Sequence, residues 1–208
     1  MVDYIYLHGF ASGPQSYKGL ALRSRFQSLN IDLKLLDLNQ GDFAHLTLTR
    51  QIHQVTQQLQ GSTVLIGSSL GGIVAAWATQ KSHQVERLIL LAPAFEFLNQ
   101  WLPKLGQEQL KQWQSTGWLP IYHYGLNTQQ RLHYKFLTDA LRYPESQLTK
   151  SLPTLILHGR EDEVIALETS QLYAQSRPWV TLQPLNTDHG MTNAMQDIWP
   201  SIQNFCGL

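Results

Sequence analysis

Residues 63 to 76 read Thr-Val-Leu-Ile-Gly-Ser-Ser-Leu-Gly-Gly-Ile-Val-Ala-Ala, and this stretch decides the fold. Its first four residues predict a short buried strand, and the small and apolar residues from Leu70 onward predict a helix. Between them lies the pattern Gly-x-Ser-x-Gly, from Gly67 to Gly71. A strand, a tight turn and a helix in direct succession hold a serine in a strained, exposed turn, so Ser69 is a candidate nucleophile. Ser68 is less suited because it lies off the apex of the turn.

Short apolar runs recur along the chain and alternate with amphipathic stretches. Predicted strands are 4–7, 33–38, 64–67, 88–92, 154–158 and 180–185. Predicted helices are 48–59, 70–81, 165–175 and 193–205. Because strands alternate with helices and are apolar on both faces, the pattern predicts an α/β fold with a doubly wound, mostly parallel sheet. We expect residues 1–208 to form a single domain.

Composition excludes several classes of function. Fifteen Lys and Arg residues balance 15 Asp and Glu residues, so the net charge of zero disfavours nucleic acid and anionic membranes as partners. The lone cysteine, Cys206, excludes an intramolecular disulfide and a multi-cysteine metal site. No run approaches the roughly 18 apolar residues of a membrane span, and the first residues do not resemble a signal peptide. We therefore expect a soluble cytoplasmic protein.

Residues 94–147 interrupt the alternation of strands and helices. The segment is rich in aromatic residues, and its glycines and prolines predict several short helices and no strand. Long structureless loops are uncommon, so we interpret the segment as an inserted helical cap over the carboxyl edge of the sheet, where ligands bind in open α/β folds. Phe95, Trp101 and Trp118 are then candidate substrate-binding residues. The alternatives are a surface loop with its own small core and a homodimer contact formed by exposed aromatics.

A serine hydroxyl is a weak nucleophile unless a base accepts its proton and a third group orients that base. Asp162 and His189 each lie in a loop that follows a predicted strand. They give the order Ser, Asp, His, and His189 is the one histidine that follows the last strand. For the acid, Glu161, Glu163 and Asp188 compete with Asp162, although Asp188 is also a natural turn residue.

The other histidines are interpreted as structural. His8 and His158 both lie in Leu-His-Gly triplets that end strands, and we expect them to bridge loops beneath the site. No catalytic role is assigned to His45, His53, His83, His123 and His133.

Acyl transfer also requires donors for the oxyanion of the tetrahedral intermediate. The backbone N–H of Leu70, directly after the nucleophile, is the first candidate. The second is the N–H of Phe10, in the glycine-bearing loop after the first strand. All these loops would meet at one edge of a parallel sheet.

These motifs together resemble the α/β-hydrolase superfamily over essentially the whole chain. They are His8-Gly9-Phe10, Gly67-Ser68-Ser69-Leu70-Gly71, His158-Gly159 with Asp162 and Val164, and Asp188-His189-Gly190. The stretch from Leu7 to Ser16 is similar to that of the small YqiA/YcfP-like bacterial esterases. The resemblance implies Ser69 as nucleophile, His189 as base, Asp162 as orienting acid, and Phe10 and Leu70 as oxyanion donors.

The expected function is hydrolysis of carboxylic esters or acyl thioesters through an acyl-enzyme on Ser69. The aromatic segment favours small to medium apolar acyl groups on a small-molecule substrate. We expect no metal and no organic cofactor, and the zinc-hydrolase, P-loop and dinucleotide-binding motifs do not occur in the sequence. The alternatives are an amidase or peptidase, an acyltransferase, and a non-catalytic ligand-binding protein with the same fold.

Overall fold

Eight strands and seven α-helices make up the computed structural model, which describes residues 2–208. The strands are β1 (Asp3–Leu7), β2 (Leu33–Leu36), β3 (Thr63–Ser68), β4 (Val85–Leu91), β5 (Trp118–His123), β6 (Thr128–His133), β7 (Thr154–Gly159) and β8 (Val180–Leu185). The helices are α1 (Tyr17–Ser28), α2 (Leu48–Gln58), α3 (Leu70–Lys81), α4 (Phe97–Thr116), α5 (Lys135–Ala140), α6 (Leu167–Gln175) and α7 (Met195–Cys206). Two short 3₁₀ helices span Phe43–His45 and Glu145–Gln147.

Six strands form one parallel sheet in the order β2-β1-β3-β4-β7-β8. Consecutive side chains of a strand point to opposite faces, and the two faces of this sheet pack against different helices. Leu65 packs with Ile73 of α3 on one face. Ile66 packs with Phe26 of α1 and Ile198 of α7 on the other. The predicted doubly wound α/β fold is therefore confirmed.

Helix α1 was not predicted from the sequence. Only Gly19, Leu22 and Phe26 of its 12 residues are buried, so its apolar stripe is too narrow to produce a clear helical period. Its presence follows instead from topology, because β1 and β2 run parallel and need a crossover between them.

The segment between β4 and β7 differs from the prediction of short helices and no strand. Helix α4 is long and bends at Gly106, whose φ of 76° and ψ of 161° are not helical. Strands β5 and β6 then form an antiparallel hairpin, so the prediction of an all-helical segment was wrong for residues 118–133. The hairpin buries only Leu119, His123 and Leu132. Pro120 interrupts the apolar residues of β5, and β6 is polar, so neither segment has the pattern of a buried strand.

A hydrogen bond between a backbone N–H and a side chain brings the two ends of this segment together. The Glu96 N–H donates to the Glu145 carboxylate at 3.1 Å. Farther along, the indole N–H of Trp113 in α4 donates to the Leu132 carbonyl in β6 at 3.0 Å, which joins the helix to the hairpin.

None of the helices within residues 2–208 combines the length and the hydropathy that a bilayer crossing requires.

Candidate active site

The turn between β3 and α3 holds Ser69 in an unusual backbone conformation. Its φ is 52° and its ψ is −121°, a region that side-chain-bearing residues rarely occupy. Hydrogen bonds hold the turn: the Ser69 N–H donates to Leu91 O at 2.9 Å, and Ser69 O accepts from Gly72 at 2.8 Å and Ala94 at 3.1 Å. The end of β4 thus supports the strained residue directly.

Both glycines of the Gly-x-Ser-x-Gly pattern are required by close backbone approach. A Cβ on Gly71 would lie 2.3 Å from Leu7 O, and a Cβ on Gly67 would lie 2.4 Å from Gly71 O. Neither obstacle is a flexible side chain, so the turn and the end of β1 can come this close only when both positions lack a Cβ.

Three polar side chains meet at the carboxyl edge of the sheet. His189 Nε2 lies 3.1 Å from Ser69 Oγ, and His189 Nδ1 lies 2.8 Å from Asp162 Oδ2. They come from three separate places in the chain: the turn after β3, the loop after β7 and the loop after β8. Because a carboxylate only accepts, the Nδ1–H donates to Asp162, which leaves Nε2 free to accept the Ser69 hydroxyl proton.

The competing carboxylates do not reach His189. Asp188 accepts a hydrogen bond from the Met191 N–H at 3.0 Å, as a turn residue does. Glu161 and Glu163 are exposed. Of the four carboxylates considered from the sequence, the structure therefore brings Asp162 to the histidine.

The Asp162 carboxylate is fully buried and surrounded by donors. Its Oδ1 accepts from the N–H groups of Val164 at 2.9 Å and Ile165 at 2.8 Å. Burial alone would raise the pKa of Asp162, but hydrogen bonds from His158, His189 and Ile165 outweigh it and hold this pKa well below its ordinary value. The group is thus an anion at neutral pH.

His158 touches the acid directly, a contact that the sequence did not predict. This fully buried ring lies in β7, with Nε2 3.1 Å from Asp162 Oδ2 and 3.0 Å from Ile165 O. Its Nδ1 lies 2.7 Å from Ser170 Oγ in α6. Because Nε2 faces two acceptors it carries the proton, and it donates to the same Asp162 oxygen that His189 contacts. The spacing of four residues between His158 and Asp162 was the available signal.

His8 has the structural place that the sequence predicted. Its Nε2 accepts from the Leu38 N–H at 3.0 Å, and its Nδ1 donates to Gly9 O at 2.8 Å. Burial lowers the pKa of His8, which keeps the ring neutral between the two loops.

The two candidate oxyanion donors flank Ser69. A Cβ on Gly9 would lie 3.2 Å from Ser69 Cβ, so the loop after β1 runs against the nucleophile and places Phe10 beside it. Leu70 follows Ser69 as the first residue of α3. Within residues 2–208, neither of these two N–H groups donates to another backbone carbonyl. Both therefore stay candidate donors for an oxyanion at Ser69.

An apolar cavity of about 190 Å³ opens at Ser69. Its apolar lining comes from the nucleophile region, the segment between β4 and β7 and the Asp162 loop: Phe10, Leu70, Ala94, Phe97, Trp101, Phe136, Val164 and Ile165. Gln100 and Lys104 also line it. Both ends of the Gln100 amide are used, toward Phe95 O at 3.1 Å and the Ala166 N–H at 2.8 Å, and the Lys104 ammonium donates to Glu163 O at 3.4 Å. Helix α4 is thereby joined to the Asp162 loop.

Only one of the three aromatic residues suggested from the sequence reaches this cavity. Trp101 lines it. Phe95 is buried and stacks on Tyr173, with ring centroids 4.1 Å apart. Trp118 lies in the hairpin against His133 and Arg131. Phe97 and Phe136 contribute the other aromatic surface from this segment.

In the described part of the chain, no group of three His, Cys, Asp or Glu side chains is arranged to hold a metal ion.

Comparison with solved structures agrees with the fold. Mouse alpha/beta hydrolase domain-containing protein 10 matches 99% of this chain and 89% of its own with a TM-score of 0.81 at 22% identity. Est1E from Butyrivibrio proteoclasticus, solved with ferulic acid bound, matches 99% of this chain and 88% of its own with a TM-score of 0.82 at 16% identity. At these identities the likeness establishes the fold alone.

A search of curated proteins finds no match. A family model, in contrast, matches nearly the whole chain. Together with the fold, it confirms the resemblance to the α/β-hydrolase superfamily and to the YqiA/YcfP-like proteins. The chain therefore belongs to the family described as an uncharacterised protein family, UPF0227, whose model covers residues 3–206.

Proposed function

We propose that the protein is a serine hydrolase that cleaves carboxylic esters or acyl thioesters of small to medium apolar acyl groups. One observation carries the proposal. His189 Nε2 lies 3.1 Å from Ser69 Oγ, and His189 Nδ1 lies 2.8 Å from Asp162 Oδ2, so the imidazole connects the hydroxyl to the carboxylate. This is the nucleophile, base and orienting acid that acyl transfer to serine requires.

In the first half-reaction, His189 Nε2 accepts the hydroxyl proton as Ser69 Oγ attacks the acyl carbon. The positive charge that develops on the imidazole is stabilised by Asp162, which stays ionised because its pKa is held low. The negative charge that develops on the acyl oxygen is stabilised by the N–H groups of Phe10 and Leu70. The imidazolium then protonates the leaving alcohol or thiol.

In the second half-reaction, water replaces the leaving group. His189 Nε2 accepts a proton from this water, which attacks the acyl carbon on Ser69 and releases the acid. The Phe10 and Leu70 N–H groups stabilise the second oxyanion in the same place. The proton returns to Ser69, so the cycle consumes only substrate and water.

The cavity supports the substrate class. Its volume of about 190 Å³ is smaller than the roughly 300–1,000 Å³ of typical sites for drug-sized ligands. Its walls are mostly aromatic and aliphatic, which favours an uncharged acyl body. The Butyrivibrio proteoclasticus protein of similar fold has ferulic acid bound, so arylacyl esters belong in the substrate panel beside short alkanoyl esters and thioesters.

The test is covalent labelling with a fluorophosphonate probe, followed by peptide mapping. We expect stoichiometric labelling of Ser69 in the wild type, and none in Ser69→Ala. His189→Ala should be labelled far more slowly. The matched control is Ser68→Ala, which changes the neighbouring hydroxyl and should keep most of the labelling.

Hydrolysis of matched ester, thioester and anilide substrates then separates the enzyme classes. Faster turnover of the anilide would replace the esterase proposal with an amidase, and product transfer to an added alcohol in place of water would indicate an acyltransferase. A wild type that neither reacts with the probe nor hydrolyses any substrate, while a known serine esterase does both, would support a ligand-binding protein instead.

A further inference from the structure

Two adjacent side chains of α1 reach the loop that carries His189. The Tyr17 hydroxyl donates to Thr192 O at 3.0 Å, and the Lys18 ammonium donates to His189 O at 3.1 Å. Each donor lies about 170 positions from its acceptor in the chain. Both acceptors nevertheless lie within four residues of one loop. Nothing in the sequence patterns assigns Lys18 a role.

Lys18 lies in an unusual place for a lysine. Its side chain is only partly exposed, and burial lowers the pKa of its ammonium to about 8. The charged groups that face it are Asp162 in the loop after β7 and Asp188 in the loop after β8, and both oppose this lowering. Its one hydrogen-bond acceptor is the neutral His189 carbonyl, so Lys18 is no surface ion pair.

Other hydrogen bonds also support the His189 loop, but none of those in the described part of the chain binds the His189 carbonyl. Met191 has a φ of 56°, which costs energy for a residue with a side chain. The Asp188 carboxylate stabilises the turn by accepting from the Met191 N–H. The carbonyl of His189 itself is held by Lys18. Since this carbonyl and the imidazole share one Cα, fixing the carbonyl restricts where the ring can lie.

We propose that Lys18 is a positioning residue for the reaction inferred above: its ammonium anchors the His189 backbone so that the imidazole stays directed at Ser69. The reaction needs Nε2 within hydrogen-bond distance of the Ser69 hydroxyl, so a His189 backbone without this anchor would hold the reactive geometry less well.

The experiment compares kcat and KM for the wild type, Lys18→Met and Lys18→Arg on one neutral ester. Lys18→Met removes the ammonium donor and keeps much of the apolar stem. We expect kcat to fall about tenfold while KM changes little, because ring position matters mainly in the transition state.

Two variants separate this role from simple support of the fold. Lys18→Arg keeps a cationic donor and should retain most of the wild-type kcat. Tyr17→Phe is the matched control, because it removes a neutral contact to the same loop and should lower kcat far less. A folded Lys18→Met protein with the wild-type kcat, or a Tyr17→Phe protein with the same loss of kcat, would overturn the proposal.

A second readout needs no turnover. The rate at which a fluorophosphonate probe labels Ser69 depends on His189 as the base, so we expect labelling of Lys18→Met to be about tenfold slower than labelling of the wild type. An equal labelling rate would contradict the proposal. A wild type that the probe labels but that hydrolyses no ester or thioester would remove the proposed substrate class, whereas the labelling rates would still decide the role of Lys18.

Discussion

The sheet edge that carries Ser69 and the segment between β4 and β7 enclose the same cavity but are held in different ways. At the sheet edge, backbone packs on backbone: Gly71 lies so close to Leu7 O that a Cβ would be 2.3 Å away. In the segment, side chains make the connections, as Gln100 does to Ala166 and Trp113 does to Leu132. The turn that carries Ser69 is thus fixed by the main chain, whereas the shape of the cavity is set by side chains that can be substituted.

The first prediction tests the sheet edge at its tightest point. Gly71→Ala inserts a methyl group where the Leu7 and His8 carbonyls lie, so we expect a loss of about 3 kcal/mol or more in unfolding free energy, together with activity. Urea unfolding and probe labelling measure the two effects. The control is Gly13→Ala, at a position where nothing lies within 4 Å of the added Cβ. Comparable stability of the two variants would mean that the backbone contact is not what holds the turn.

The second prediction concerns the acid and its pH dependence. Asp162→Asn should lower kcat by about 10⁴, because an amide can hold the wrong imidazole tautomer. The pKa of Asp162 is lower in the folded state than in the unfolded chain. Its carboxylate therefore contributes stability above the unfolded value near 4, and that contribution is lost as pH falls.

The difference in unfolding free energy between wild type and Asp162→Asn should accordingly narrow as the pH drops from 7 to 3. Urea titrations at several pH values measure it. Asp188→Asn serves as the control, since Asp188 contacts a turn N–H and not His189. A difference in unfolding free energy between the two proteins that grows as the pH falls would contradict a lowered pKa of Asp162.

The third prediction moves to the segment between β4 and β7. Trp101 lines the cavity and packs on Phe10 and Phe136, so Trp101→Ala should enlarge the cavity. We expect kcat/KM for short acyl esters to fall about tenfold, with relatively better use of longer chains. Rates across an acyl-length series measure this. Trp118→Ala, in the hairpin and away from the cavity, should leave the length preference unchanged.

The smallest expected effect comes from the amide that joins α4 to the Asp162 loop. Gln100→Ala removes contacts to Phe95 O and the Ala166 N–H. Each such bond contributes roughly 0.5–1.5 kcal/mol, so we expect kcat/KM to fall a few-fold and the melting temperature to fall by a few degrees. If Gln100→Ala lowered activity as much as Asp162→Asn does, the contrast between a sheet edge fixed by backbone and a segment held by side chains would be wrong.

The same distinction explains what could be predicted from the sequence. The parallel sheet was predictable because its strands are short apolar runs between turn residues. Ser69, Asp162 and His189 could be named because each follows a strand that ends at the same edge, so topology alone brings them near one another. The structure places them in contact, and their catalytic roles remain proposals for the labelling experiment.

The features that were missed depend on side chains that carry no periodic signal. In the hairpin, Pro120 interrupts the apolar residues of β5, and β6 is polar, so neither strand shows the apolar pattern of the parallel sheet. Phe95 and Trp118 had the right residue type but point elsewhere than the cavity. The contact of His158 with Asp162 and that of Lys18 with the His189 loop join parts of the chain whose pairing no local pattern specifies.

The hydrogen bond between Glu96 and Glu145 joins the two ends of the segment between β4 and β7, so this segment could be replaced as one unit. Entry and exit lie side by side, and the entry begins directly after Ala94, whose N–H is bound to the Ser69 carbonyl. A different loop or subdomain could be grafted between these points without altering the path of the chain on either side. Replacement of this one contiguous segment, by evolution or by design, would therefore change the lining of the cavity and leave Ser69, Asp162 and His189 in place.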